Sequence, residues 1–160
     1  MVLQLGCQHV PRMTWVTAGC RKALPPAVHL LGVAAADFGN VHTPKDTKGD
    51  RLLGVRISGG FRVAVAGAGE PDEGKQVGLW KEKTEAALKE VGGAPDAAIL
   101  FACATWHNRL EEKRAIAAER LQGVPVFGAF GGGEIGAYAT GGETVSLPGQ
   151  FFIAVFKGGS

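Results

Sequence analysis

A single acidic residue after three consecutive glycines is the first feature of the sequence that could do chemistry. Glu134 follows Gly131, Gly132 and Gly133, and an apolar run at residues 124–130 precedes them. The run predicts a short buried strand, and glycines permit positive φ or the close approach of other backbone or a ligand. We interpret Gly132, Gly133 and Glu134 as one wall of a small-molecule or partner site. The alternative is a glycine-rich turn that carries a solvated glutamate.

A cysteine and a histidine four residues apart form the second candidate. Cys103 and His107 could make a thiolate–imidazole pair, the arrangement of a nucleophilic enzyme. The competing interpretation is a buried thiol that acts as a small apolar group. Trp106 could stack on a ligand or pack over a strand edge, and Glu134 could orient a ligand amine or accept hydrogen bonds from its own turn.

The elements around these residues predict that they meet. Residues 96–103 are continuously apolar after the first residue, Asp96, which is typical of a central strand buried on both faces. A helix is predicted at residues 109–122, with Leu110, Ala117 and Leu121 inward and the charged residues, Lys113 among them, outward. With the strand before the glycines this makes a right-handed βαβ unit. Ligands in open α/β sheets bind at the carboxyl ends of strands, where both candidates lie.

The sequence patterns of the remaining elements are weaker. Residues 52–57 and 61–65, around Ser58-Gly59-Gly60, predict a β-hairpin. A short strand is predicted at 77–80, a helix at 81–91 and a last strand at 150–156. The first 50 residues are poorly patterned: strands at 1–5 and 13–18, a strand or helical turn at 29–36, and a loop at 40–50. We predict an α/β (α+β) fold, a mixed β-sheet with a C-terminal βαβ unit and helices packed on the sheet.

The composition excludes several classes of protein. The 160 residues are 46% apolar and 20% charged, as in an ordinary globular domain, and the net charge of +2 is too small to predict nucleic-acid or membrane binding. The histidines His9, His29 and His42 stand at no metal-ligand spacing, so no metal or cofactor is expected. With an odd number of cysteines, free thiols in the cytoplasm are preferred over a Cys7–Cys20 disulfide. Organelle targeting stays an alternative.

Three segments resemble the C-terminal domain of the FIST family, a sensory module of prokaryotic signal-transduction proteins that also occurs in an animal F-box protein. Residues 70–79 look like its Pro-Glu-Gly loop and short strand, and 99–103 like its Phe-Ser/Ala-Cys strand. Residues 124–136 resemble its Val-Pro-Leu-Phe-Gly-Phe-Phe…Gly-Glu-Ile-Gly signature. The resemblance covers about residues 51–157, so we expect 51–160 to be the domain. Residues 1–50 are then a partner-dependent segment or the remnant of a preceding domain.

The resemblance implies a non-catalytic domain of signal-transduction type that senses a small molecule such as an amino acid or recruits a protein partner. The family places an arginine three residues after the cysteine, where this chain has Trp106, and Arg109 follows three residues later. Arg109 is therefore included among the ligand-binding candidates. Two alternatives stay open: a thiol-dependent enzyme that uses Cys103, and a structural or substrate-recruiting subunit of a larger assembly, like a ubiquitin-ligase receptor.

Overall fold

The protein has an α+β fold, as the sequence predicts. A computed structural model describes residues 1–6, 10–25, 27–34 and 52–159. The described helices are α1 (Val10–Ala23), α2 (Glu73–Val91) and α3 (Leu110–Arg120), with a 3-10 turn at Ala104–Trp106. The described strands are β1 (Val2–Gly6), β2 (Leu30–Ala34), β3 (Leu52–Arg56), β4 (Phe61–Gly69), β5 (Ala97–Cys103), β6 (Val126–Gly131), β7 (Gly133–Gly136), β8 (Val145–Leu147) and β9 (Gln150–Gly158).

These strands form two sheets that pack face to face. The first sheet has the order β3-β1-β2-β7-β8 and the second sheet the order β4-β9-β5-β6. Only β1–β2 and β5–β6 are parallel pairs among the described strands. Helices α2 and α3 cover the outer face of the second sheet, and α1 lies on the first. The molecule is therefore layered as helix, sheet, sheet, helices.

Strand β9 shows why the second sheet lies at the centre. Its side chains alternate between two cores: Phe151, Ile153 and Val155 face α2 and α3, whereas Phe152 and Ala154 face the first sheet. All five are fully buried. Strand β5 alternates in the same way, which confirms the prediction of a central strand buried on both faces. The βαβ unit is also confirmed, because β5 and β6 are parallel neighbours joined by α3.

The predicted hairpin at residues 52–65 is wrong, although both of its strands exist. Strand β3 pairs with β1 in the first sheet, and β4 pairs with β9 in the second. The turn between them carries the chain from one sheet to the other. Two alternating runs around a Gly-Gly turn are therefore also compatible with a crossing between packed sheets.

Two predicted short strands are helical. Residues 77–80 belong to α2, which begins at Glu73 because the side chain of Asp72 caps it and accepts a hydrogen bond from the Gly74 N–H at 2.9 Å. Residues 13–18 lie within α1. The strands at the N-terminus, at β2 and at β9 are confirmed. The predicted loop at 40–50, Cys7, His9 and His42 lie outside the described residues.

Strand β6 corrects the prediction of a buried strand before the glycines. It is the last strand of the second sheet, and its large side chains are exposed: Val126 by 47%, Phe127 by 54% and Phe130 by 37%. An apolar run fits a central strand and an edge strand equally well, and only the strand order decides between them.

The three glycines serve a crossing between the sheets. Gly131 ends β6 in the second sheet, Gly133 begins β7 in the first, and the Gly132 N–H donates to the Ala34 carbonyl at 2.8 Å. None of the three has a positive φ. A Cβ at Gly131 would clash with the Ala34 carbonyl oxygen and the Val33 side chain, so the small residue is needed for close approach of β2.

Candidate functional site

Glu134, the acid that follows the glycines, is completely buried on β7. One carboxyl oxygen, Oε2, accepts a hydrogen bond from the Gln150 N–H at 3.0 Å, and the other, Oε1, has no hydrogen-bond partner among the described residues. Burial raises the pKa of Glu134 to about 8, against the opposing effects of the Gln150 N–H and the Cys103 thiol. The side chain is therefore mainly a neutral carboxylic acid at pH 7, which makes a solvated turn glutamate the wrong description.

Cys103 lies beside this acid, as the βαβ geometry predicts. It is the last residue of β5, is paired in register with Gly131, and is 5% exposed. Its thiol acts on the Glu134 carboxyl closely enough to lower the pKa of that group. The neighbour of the thiol is thus a carboxyl group, whereas an activated thiolate needs a cation or a helix N-terminus.

Trp106 is fully buried and belongs to the core. Its indole Nε1–H donates to the Gly149 carbonyl at 2.9 Å, and its ring packs 5.4 Å from that of Phe151 and 6.4 Å from that of Trp80. Trp106 therefore packs inside the protein and does not offer its ring as a surface on which a ligand could stack. Trp106 nevertheless fixes the turn before Gln150, the residue that holds Glu134.

His107 and Arg109 are not brought to the buried acid. Both side chains are exposed, and the His107 ring packs edge-on against Phe130 at 5.7 Å. Arg109 adopts the left-handed conformation at φ 53° and donates from Nε to Glu112 Oε1 at 2.6 Å. Of the seven candidates, Cys103 and Glu134 meet directly, Gly132 and Gly133 form the crossing beside them, and Trp106 supports the neighbouring turn.

Lys113 is a buried residue that the sequence interpretation placed outside. It is fully buried, and its ammonium donates to the carbonyls of Trp106 at 2.6 Å and Asn108 at 2.7 Å and to Gln76 Oε1 at 3.1 Å. Burial lowers the pKa of Lys113. The helical spacing contained the signal, since Lys113 is three residues after Leu110 and four before Ala117, on the face that packs inward.

An open cleft of about 940 Å³ lies at this end of the second sheet, between the end of β4, the beginning of α2 and the β8–β9 turn. Its polar lining residues are Glu70, Glu73, Gln76, Lys83, Thr105, Tyr138 and Gln150. The cleft is at the sheet end that the sequence indicates. None of the seven predicted candidates lines it, however.

Hydrogen bonds fix the polar groups of the cleft. The Tyr138 hydroxyl donates to Gln150 Oε1 at 2.6 Å, and Gln150 Nε2 donates to the Pro148 carbonyl at 3.0 Å. Gln76, held by Lys113, donates from Nε2 to the Glu70 carbonyl at 3.0 Å. Gln150 joins the two parts, because its N–H binds the buried Glu134 while its side chain lines the cleft. The predicted acid therefore supports the cleft wall from behind.

The charges around the cleft are mainly negative. Glu70 and Glu73 line it, and Lys83, the one cation among the described lining residues, is ion-paired with Glu82 at 2.7 Å. The positive charge of Lys113 is buried behind Gln76. The described residues contain no group of histidine, cysteine and acidic side chains that could hold a metal ion, and no described helix is long and apolar enough to span a membrane.

Comparison of the chain with protein-family models and with curated proteins finds no match.

Proposed function

We propose that this protein is a non-catalytic domain that senses a small polar molecule in the cleft between β4, α2 and the β8–β9 turn. The observation that carries the proposal is the cleft itself. Its volume of about 940 Å³ lies within the range of ligand pockets, and its amide and hydroxyl groups are held by hydrogen bonds before any ligand arrives. Preorganised polar groups of this kind favour binding, since they lose little freedom on contact with a ligand.

The lining favours a ligand with an amino group. Glu70 and Glu73 offer negative charge, whereas the charge of Lys83 is already balanced by Glu82. The amides of Gln76 and Gln150 are suited to the polar remainder of such a molecule. An amino acid has both features, and it is also the ligand class that the resemblance to the FIST family implies.

The geometry gives no support to the thiol-enzyme alternative. Cys103 is 5% exposed and lies against a carboxyl group, and His107 packs on Phe130 instead of on the thiol. A nucleophile needs a base within hydrogen-bond reach and access to its substrate. A signalling role is consistent with the cleft, because hydrogen bonds connect the wall of the cleft to the interior of the fold.

Thermal unfolding in the presence of amino acids, amines and small carboxylic acids tests the proposal. We expect at least one amine-bearing compound to raise Tm in a concentration-dependent way, because a ligand that binds only the native state stabilises it. Glu73→Gln should abolish that shift. Glu90→Gln is the matched control, since Glu90 is an exposed glutamate on the same helix outside the cleft lining, and it should leave the shift intact.

Two outcomes contradict the proposal. One is that no compound of these classes changes Tm. The other is a shift that survives Glu73→Gln and Tyr138→Phe together, which would place the ligand away from the cleft.

A further inference from the structure

We infer that β6 is a self-complementary edge through which two copies of this chain pair, extending the second sheet across a twofold axis at Gly128. The starting observation is the exposure of the strand. Val126, Phe127 and Phe130 are exposed by 47%, 54% and 37%, and the segment Val126–Gly131 contains no charged residue and no proline. Edge strands that stay unpaired normally carry lysine, proline or a bulge that prevents association.

The opposite edge of the same sheet, formed by β4, is protected from pairing, whereas the edge formed by β6 is not. The outer edge of β4 is covered in part by the segment at residues 138–140: the Gly67 N–H donates to the Tyr138 carbonyl at 3.3 Å, and the Val65 N–H to the Thr140 hydroxyl at 2.8 Å. In the first sheet one edge strand, β8, is only three residues long, and the other, β3, has five residues and ends in the charged Arg56. Strand β6 has six residues and, among the described residues, no neighbour beyond β5.

The register with β5 shows which backbone groups of β6 are free to pair. The Ala98 N–H donates to the Pro125 carbonyl, and Ala98 is in register with Val126. In a parallel ladder, residues 127 and 129 then bond to β5, while the N–H and C=O groups of Val126, Gly128 and Phe130 point away from it. A partner strand must therefore match these three outward-facing residues.

A second copy matches them if it runs antiparallel with Gly128 opposite Gly128. Val126 then lies opposite Phe130 of the second copy, and each of these pairs exchanges two hydrogen bonds. The same register places Phe127 opposite Ala129 on the other face of the sheet. Each phenylalanine meets a smaller side chain across the axis, no like charges oppose each other, and twofold symmetry closes the assembly at two copies.

Apolar grooves on both faces of this edge supply further area for the interface. A groove of about 540 Å³ runs beside Ile99, Pro125 and Phe127, and one of about 440 Å³ beside Leu100, Leu110 and Phe130. A dimer held by the strand pair alone would be only marginally stable, since a specific interface needs about 1,000 Å² of buried surface. The grooves allow the apolar side chains of the second copy to bury the surface that the strand leaves open.

Sedimentation of the full chain up to about 100 µM tests the pairing, since a micromolar Kd populates the dimer in this range. We expect a reversible dimer, and Phe127→Lys should raise its Kd by at least about tenfold, because it places one charge near each side of the axis. Leu147→Lys is the matched control: Leu147 is also 47% exposed on an edge strand, but in the first sheet, and the dimer should persist.

Amide exchange locates the contact. With rising protein concentration, protection should increase at the amides of Val126, Gly128 and Phe130 and stay unchanged at Phe127 and Ala129. A chain that stays monomeric up to about 100 µM, a dimer that Phe127→Lys does not weaken, or protection without this alternation would each overturn the inference.

Discussion

Lys113 and Glu134 are both completely buried near the β8–β9 turn, yet their surroundings differ. An ammonium group has three N–H donors, and those of Lys113 meet three oxygens, on Trp106, Asn108 and Gln76. The indole ring of Trp106 also lies 5.3 Å from the Lys113 nitrogen. The charge of Lys113 is therefore compensated inside the protein.

Glu134 lacks comparable compensation. Within the described part of the chain, its Oε2 accepts one backbone hydrogen bond, its Oε1 accepts none, and no cation contributes to the shift of its pKa. Because an uncompensated buried charge is costly, the carboxyl keeps its proton. Burial disfavours the charged form of both groups, but three hydrogen bonds compensate the charge of Lys113, whereas a charged Glu134 would have a single backbone hydrogen bond.

The largest expected effect is a pH dependence of stability caused by Glu134. Below its ordinary pKa of 4.5 the carboxyl is neutral in both the folded and the unfolded chain. Between pH 4.5 and about 8 the unfolded chain releases the proton while the folded chain retains it. The free energy of unfolding should therefore fall over this range, by up to about 5 kcal/mol in total.

Urea unfolding of the wild type and Glu134→Gln from pH 5 to pH 9 measures this contribution. The difference between the two free energies of unfolding cancels the titration of every other group. It should move in favour of the glutamine variant as the pH rises. Parallel pH profiles would instead mean that Glu134 is ionised in the folded protein at neutral pH.

Lys113→Met should be the next largest effect, a loss of about 3 kcal/mol in the free energy of unfolding. Methionine keeps most of the alkyl packing but leaves the Trp106 and Asn108 carbonyls and Gln76 Oε1 without their donor. Arg114→Met on the same helix is the control, because the Arg114 side chain is 70% exposed and its ion pair among the described residues is with the exposed Glu111. Equal losses in urea unfolding would show that the three hydrogen bonds of Lys113 contribute little.

The same two residues show what the sequence can reveal. The burial of Lys113 is predictable from its spacing, since Lys113 shares a helical face with Leu110 and Ala117, although its charge favours an exposed position. Glu134 was identified from its glycines, and its proximity to Cys103 follows from the βαβ unit that the pattern predicts. Its burial is not predictable from the sequence, because it depends on strands that are distant along the chain: β7 lies between β2 and β8, and the N–H bonded to Glu134 belongs to Gln150, 16 positions away.

Long-range pairing limits the rest of the prediction. Strands β5 and β9 were found because a continuous apolar run buried on both faces is a local property. The destinations of β3 and β4, in different sheets, and the edge position of β6 are properties of the whole topology. The cleft was missed for the same reason, since Gly67, Gln76 and Gln150 come from three separate elements.

The smallest expected effect concerns the contact between the Cys103 thiol and the Glu134 carboxyl. The Cys103 thiol lowers the pKa of Glu134, so Cys103→Ala should raise that pKa further, by less than about one pH unit. Cys103→Ser keeps a donor at this position and should leave the pKa near its wild-type value of about 8 or lower it.

The pH midpoint of the protonated carboxyl band in infrared spectra, assigned with Glu134→Gln, measures the change. Cys20→Ala is the matched control because Cys20 is half-buried on α1, where it packs against a different core cluster, and it should not move the midpoint. An unchanged midpoint in Cys103→Ala would mean that the Gln150 N–H alone opposes the effect of burial on Glu134.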